Sequence, residues 1–256
     1  MSGASHGDAV IAATGLTKHF GGVAALDDFS ITVADREIRC IVGPNGAGKS
    51  TLFKVLCGLL KADAGSVRIL GRDVSGLNAR RVARMGVATK LQIPRVFPSL
   101  TVHEHLELAT RVGMGVPQLL GLRRRRQAVA ADAMISQLLE DLGLAKTRDR
   151  LAQELSHGER QWLEIVMMLA TGPRILLLDE PGAGMATEEK ARTADLLQRL
   201  SERMAVVVIE HDLAFVQLIA HKVMVMHRGR LLTQGSFDEI SRDPQVGLVY
   251  LGSTST

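Results

Sequence analysis

The run Gly43-Pro44-Asn45-Gly46-Ala47-Gly48-Lys49-Ser50-Thr51 limits what this chain can fold into more than any other stretch. Two glycines with four residues between them, then lysine and a hydroxyl, give the spacing Gly-x-x-x-x-Gly-Lys-Ser/Thr. Before it, residues 38–42 are mostly apolar and bounded by charge, the pattern of a short buried strand. After it, residues 51–60 space their apolar groups as a helix does, with Gly58 near the end. Strand, glycine loop and helix, in that order, is the context that separates a phosphate-binding P-loop from a chance turn.

The chemistry expected of the loop follows from its residue types. Glycines let the backbone turn tightly and bring its N–H groups up to phosphate oxygens. The helix N-terminus adds unpaired donors and partial positive charge. Lys49 reaches the β- and γ-phosphates as a point charge, and the Ser50 hydroxyl ligates Mg2+.

The 256 residues suit one large domain or two small ones, and a 46% hydrophobic content supplies a core. Only 3% is aromatic, so aliphatic side chains must fill that core. No stretch approaches the ~20 uninterrupted apolar residues that cross a bilayer, and no signal peptide is evident at residues 1–10. A cytoplasmic protein is expected. Cys40 and Cys57 flank the loop and read as buried thiols in a reducing compartment. A net charge of +4 fits an anionic ligand or a membrane surface without demanding nucleic acid.

Along the chain, residues 9–16, 24–33 and 67–70 are strand-like, with Gly21-Gly22 as a turn, and suggest a small antiparallel sheet beside the loop's strand. Residues 80–85 read as a short helix and 86–89 as a strand. Residues 102–110, 127–142 and 160–170 have helical period, and a mostly helical insert over about 93–157 accounts for them. Residues 175–178 and 205–209 are continuous apolar runs, suited to parallel strands covered on both faces, with a helix over 188–200 between them. Strands over 222–226 and 230–233 and a helix over 237–242 complete the pattern, which contains no internal repeat.

A second chemical site stands at the end of the run Ile175-Leu176-Leu177-Leu178-Asp179-Glu180. Strand period two points neighbouring side chains to opposite sides, so the two acids can take different work. Asp179 suits a water-bridged or outer contact to Mg2+, and Glu180 suits polarising the water that attacks a γ-phosphate. Ser156 and Glu159 form a capping box that needs no ligand to explain it. The alternative is an anion site made by Ser156, the Gly158 backbone and the following helix. His211, after the strand 205–209, is either a packing residue or a group beside the γ-phosphate and the attacking water. Gln92 taken alone is an ordinary glutamine.

Taken in order, these pieces resemble the ATP-binding-cassette ATPases over roughly residues 10–252. The resemblance implies an α/β fold. Its core is a RecA-like, mostly parallel P-loop sheet, with an N-terminal antiparallel β subdomain and a helical subdomain. The expected bounds are 9–92 for the first part of the core, 93–157 for the helical subdomain and 158–252 for the second part. Residues 43–51 look like Walker A, and Gln92 like the glutamine that senses the γ-phosphate and Mg2+ and couples to the membrane subunit. Leu155-Ser156-His157-Gly158-Glu159 looks like the signature motif. Asp179 and Glu180 look like the Walker B aspartate and catalytic glutamate, and His211 like the switch histidine. Phe20 looks like the aromatic that stacks on adenine; a core phenylalanine is the other reading.

Two departures stand out. The signature usually has Gly-Gly where this chain has His157-Gly158, and the loop after Glu180 reads Gly182-Ala183-Gly184-Met185 without the usual aspartate. Within the family, that loop, Gln92-Ile93-Pro94 and the ending Val249-Tyr250-Leu251-Gly252 resemble the branched-chain amino-acid importer ATPases. Leu155-Ser156-His157-Gly158 with Gln161-Trp162-Leu163-Glu164 resembles the urea-uptake branch of that group. The resemblance implies two such subunits closing head to tail on two ATP molecules, so that Ser156 serves the other subunit's nucleotide. It also implies separate permease subunits, a solute-binding protein acting indirectly, and a place on the inner face of the cell membrane. Residues 93–100 are the expected permease contact. Arg123-Arg124-Arg125-Arg126 reads as a solvated face, or as a contact to anionic lipid or permease. The rival class is a soluble cassette ATPase acting on nucleic acid or ribosomes, and a P-loop kinase is a third.

Overall fold

The computed structural model describes residues 9–90, 96–112 and 135–252. Expectations for Gln92, for the rest of 91–95, for Arg123 to Arg126 and for the first part of 127–142 lie outside the described residues.

Two sheets carry the fold. Strands β1 (Ala9–Phe20), β2 (Val23–Ala34), β4 (Ala64–Ile69) and β5 (Arg72–Asp73) form an antiparallel sheet in the order β2-β1-β4-β5. Strands β3 (Ile38–Val42), β6 (Val87–Lys90), β7 (Ile175–Asp179), β8 (Ala205–Ile209), β9 (Lys222–His227) and β10 (Arg230–Gly235) form a second sheet in the order β10-β9-β3-β8-β7-β6. In that sheet β9, β3, β8 and β7 run parallel, while β10 returns antiparallel beside β9. Every residue of β3, β7 and β8 is buried, as strands covered on both faces require; Arg39, the charged residue within β3, is paired with Glu37 at 2.6 Å, and Asp179 ends β7. The core is mainly aliphatic, yet Phe29, Phe53 and Phe215 are among its fully buried side chains.

The helices follow their punctuation. Helix α1 spans Lys49–Leu56, starting earlier and stopping sooner than the period suggests. Gly48 is its N-cap, Cys57 closes it, and Gly58 at φ +72° reverses the chain. Helix α2 (Ala79–Ala83) is capped by Asn78, whose side chain accepts the Arg81 N–H. Helix α3 spans Val102–Val112, and residues 135–141 form α4. Helix α5 (His157–Leu169) starts three residues ahead of the periodic run, because the Ser156–Glu159 capping box is fully formed. Helix α6 covers Thr187–Ser201. Helix α7 (Leu213–Ile219), capped by Asp212, and helix α9 (Pro244–Gly252) were not expected, whereas α8 (Phe237–Ser241) was.

The chain divides into two compact units. One holds the residues up to Thr89, Arg174–Gly182 and those from Ala194 on; the other holds Lys90–Pro173 and Ala183–Thr193. The helical unit therefore extends beyond the expected end at residue 157: α5 and residues 183–193 go with it. Among the described residues no helix is long and apolar enough to cross a membrane.

Candidate functional site: a phosphate-binding edge and a signature turn

Parallel pairing brings three sequence-distant segments to one edge. Ile41 pairs with Ile209, and Ile209 pairs with Asp179, so β3, β8 and β7 end level. The glycine loop leaves β3, His211 follows β8, and Glu180 follows β7. Ligands of open α/β sheets bind outside the carboxyl ends of such strands.

The loop is moulded by close approach. Gly43 lies at φ +153°, and a Cβ there would come within 2.2 Å of the Met226 carbonyl oxygen. Gly48, at φ +104°, would place a Cβ 2.2 Å from the Ala25 carbonyl oxygen. No side chain larger than hydrogen fits either place. Ala47 accepts the Gly229 N–H at 2.9 Å, and the Gly229 carbonyl accepts the Asp27 N–H at 3.0 Å, so the loop is braced from β2 and the β9–β10 turn. Asn45, Gly46 and Ser50 are exposed, while Pro44 and Thr51 are half-buried. Gly48 offers α1 no side-chain cap, which leaves the first-turn N–H groups open to a ligand. The Tyr250 phenol of α9 faces the Gly43 amide, and burial pushes it up to about 12.

Lys49 is buried, and its Nζ donates to the carbonyls of Gly43 (2.6 Å) and Pro44 (3.0 Å). Burial lowers its pKa, against the opposing pull of the Glu180 and Asp179 carboxylates. Asp179 is buried at the end of β7. Glu180 departs from the strand at φ +50°, a left-handed conformation that costs a non-glycine residue about 1–3 kcal/mol. Its own N–H donates to the Ile209 carbonyl at 2.9 Å. The two acids are thus separated by strand alternation and by this turn. The Glu180 carboxylate lies 3.1 Å from His211 Nδ1, with the histidine side chain 60% exposed.

Glu210, between β8 and His211, was missed by the sequence reading. It is buried, and its carboxylate accepts the N–H groups of Gly182 (3.1 Å), His211 (3.1 Å) and Asp212 (3.5 Å). Burial raises its pKa despite those donors. An acid directly after a fully apolar strand was the available signal. Burial, and after it the Glu210 charge, drives the Cys40 thiol well above its ordinary range; Cys40 and Cys57 are buried thiols not joined in a disulfide, as expected.

Phe20 ends β1 and is 52% exposed, so it is not a core residue; Lys18 Nζ lies 5.7 Å from its ring centroid. In the helical unit Ser156 caps α5, accepting the Glu159 N–H at 3.1 Å. Gly158 lies against the Glu189 carboxylate, where a Cβ would come within 2.3 Å. In the same unit, Phe97 is 58% exposed beside the fully buried His105. That histidine accepts the Phe97 N–H at Nε2 (2.8 Å) and donates from Nδ1 to the Thr101 carbonyl (2.8 Å).

A glycine cradle at a helix N-terminus, a buried lysine beneath it and an acid pair at the end of β7, one strand beyond β8 on the same sheet edge, define a P-loop ATPase. The ABC transporter family profile matches residues 26–183. A high-affinity branched-chain amino acid transport ATP-binding protein, LivG of Salmonella typhimurium, is 35% identical over 250 residues, covering 95% of this chain and 98% of LivG. BraF of Pseudomonas aeruginosa, of the same description, is 33% identical over 95% of this chain and 98% of its own. The crystal structure of the ADP conformation of MJ1267, an ATP-binding cassette of an ABC transporter, superposes with a TM-score of 0.82 at 29% identity, covering 95% and 99% of the two chains. The chain belongs to the ABC transporter family and is an ATP-binding, ATP-hydrolysing subunit of a transporter.

Proposed function

We propose that this chain powers uptake of a small polar solute through separate permease subunits, with branched-chain amino acids first among the candidates. The observation that carries the catalytic part is the Glu180 carboxylate, turned out of β7 and held 3.1 Å from His211 at the edge that carries the glycine loop. Residues 43–51 take the phosphates, with Lys49 on the β- and γ-groups, and Phe20 offers an exposed ring for the adenine. Ser50 and Asp179, with Gln92, would hold Mg2+, which would neutralise charge on the phosphates. Glu180 takes the proton of the attacking water, and His211 holds that carboxylate and the water in register. Hydrolysis needs a second cassette, because Ser156 and Gly158 face the nucleotide of the other subunit.

The importer reading is supported by the likeness to LivG and BraF over nearly the whole chain. Phe97, exposed and seated on His105, suits docking of a permease segment at the inner face of the membrane. Urea is the alternative solute, supported by His157 and Gln161-Trp162. The test is ATP-dependent uptake of leucine and of urea by vesicles holding this chain with its permeases and solute-binding protein. Glu180→Gln is expected to lower ATP turnover on the order of 100- to 10,000-fold and to abolish uptake, with ATP still bound. Near-normal hydrolysis in that variant removes Glu180 from the role; absence of both uptakes overturns the importer reading.

A further inference from the structure

The two places where this chain departs from its family's usual pattern meet in space. His157 Nε2 lies 3.0 Å from the Ala183 carbonyl oxygen. A carbonyl only accepts, so Nε2 carries the hydrogen and donates. The ring rests on Gly184, where a Cβ would stand 3.2 Å from Nε2 and 3.3 Å from Cδ2. Gln161, one turn along α5, has its side-chain amide nitrogen 3.2 Å from the same ring nitrogen; two N–H donors do not bond, so with Nε2 donating to Ala183 this is packing against the ring. On either side of His157 the turn touches the same downstream segment. Ser156 Oγ is 3.5 Å from Glu189 Oε1, Gly158 admits the Glu189 carboxylate, and that carboxylate accepts the Ala186 N–H at 3.0 Å.

We propose that His157 is a positioning residue: its bond to the Ala183 carbonyl fixes the Ser156–Gly158 turn to the loop that follows Glu180. Gly184, with no side chain, leaves the room that admits the ring. The inference rests on the reading that two chains close on ATP. It adds that this closure depends on the His157 contact within each chain.

The experiment uses the Glu180→Gln chain, with ATP-driven pairing measured by light scattering. Failure of that parent to pair in ATP sinks the two-chain reading, and this inference with it. Where the parent pairs, His157→Gly is expected to raise the ATP concentration needed for pairing about tenfold, the worth of one hydrogen bond of about 1.4 kcal/mol. Binding of a fluorescent ATP analogue to the single chain is expected to stay unchanged. His157→Gln, which keeps an N–H donor, restores most of the pairing. Gly184→Ala impairs pairing strongly when His157 is present and weakly when His157→Gly has already removed the ring. Its backbone strain is common to both backgrounds and cancels in the comparison. Pairing by the His157→Gly chain at the parent's ATP concentration overturns the proposal. So does strict additivity of the two substitutions, and so does loss with His157→Gln equal to that with His157→Gly in a chain that melts normally.

Discussion

Glu210 shows how one side chain can hold two others in place. Its two oxygens accept backbone N–H groups on both sides of the sheet edge, at Gly182 after Glu180 and at His211 itself. Burial raises its pKa above the ordinary carboxylate value, and the sign of the pH effect follows. Below the unfolded value, about pH 4, both states hold the proton and the contribution to stability is fully present. As pH rises toward the raised folded value, the unfolded chain ionises first and that stability is lost. The wild-type melting temperature is therefore expected to fall, relative to that of Glu210→Gln, as pH rises from about 4 through this window. Parallel melting curves across the range would show that the buried acid is not the source. Asp179 and Glu180 could be picked out from sequence because they interrupt an apolar run. Glu210 interrupts one too, but its bond to the Gly182 amide reaches the loop after β7, a contact that no local pattern displays.

At the level of elements, local chemistry fixed the starts of helices and long-range pairing fixed what they serve. The Ser156–Glu159 box starts α5 at His157 whatever surrounds it. Lys90 and Glu164, by contrast, are 74 positions apart in sequence. They form a 3.2 Å ion pair between the end of β6 and α5, with side chains only 5% and 8% exposed. Removing one member leaves a buried charge at a cost of about 3–5 kcal/mol. Lys90→Met is expected to destabilise the helical unit by that order, and Lys90→Met with Glu164→Leu to recover part of it. The single tryptophan, Trp162, is buried on the same helix and hydrogen-bonded to Thr193 at 2.9 Å, so its fluorescence in urea reports the change directly. Equal loss in the single and double variants would show that the pairing is not what holds the helix. The short α7 escaped the sequence reading because seven residues give too little period, although its Asp212 cap was visible.

At the level of the whole molecule, the unit with the glycine loop must be steadied by what it binds. A ligand that binds only the folded chain adds about 2.7 kcal/mol at a hundred times its Kd. For a chain of this size that is a rise in melting temperature of roughly 5–10 °C. MgATP is expected to produce it, and Lys49→Ala to abolish most of it, as read by thermal denaturation with and without nucleotide. An undiminished shift in Lys49→Ala would take the lysine out of nucleotide binding. Lys49 is suited to the task because the loop's own carbonyls and two nearby acids keep a cation beneath the glycines despite its burial.

The sequence by itself determined the phosphate loop, the buried parallel strands, the helix caps and the family, because each is written in residues adjacent in the chain. Apolar runs declare buried strands, a Ser-x-x-Glu declares a helix start, and a glycine spacing declares a backbone that must approach an anion. Only the tertiary structure decided that Ile41, Ile209 and Asp179 end level, that Glu180 turns out of its strand toward His211, and that His157 and Gly184 meet. Those facts come from strand order and from steric fit between segments far apart in sequence, and hydrophobic period carries no information about either.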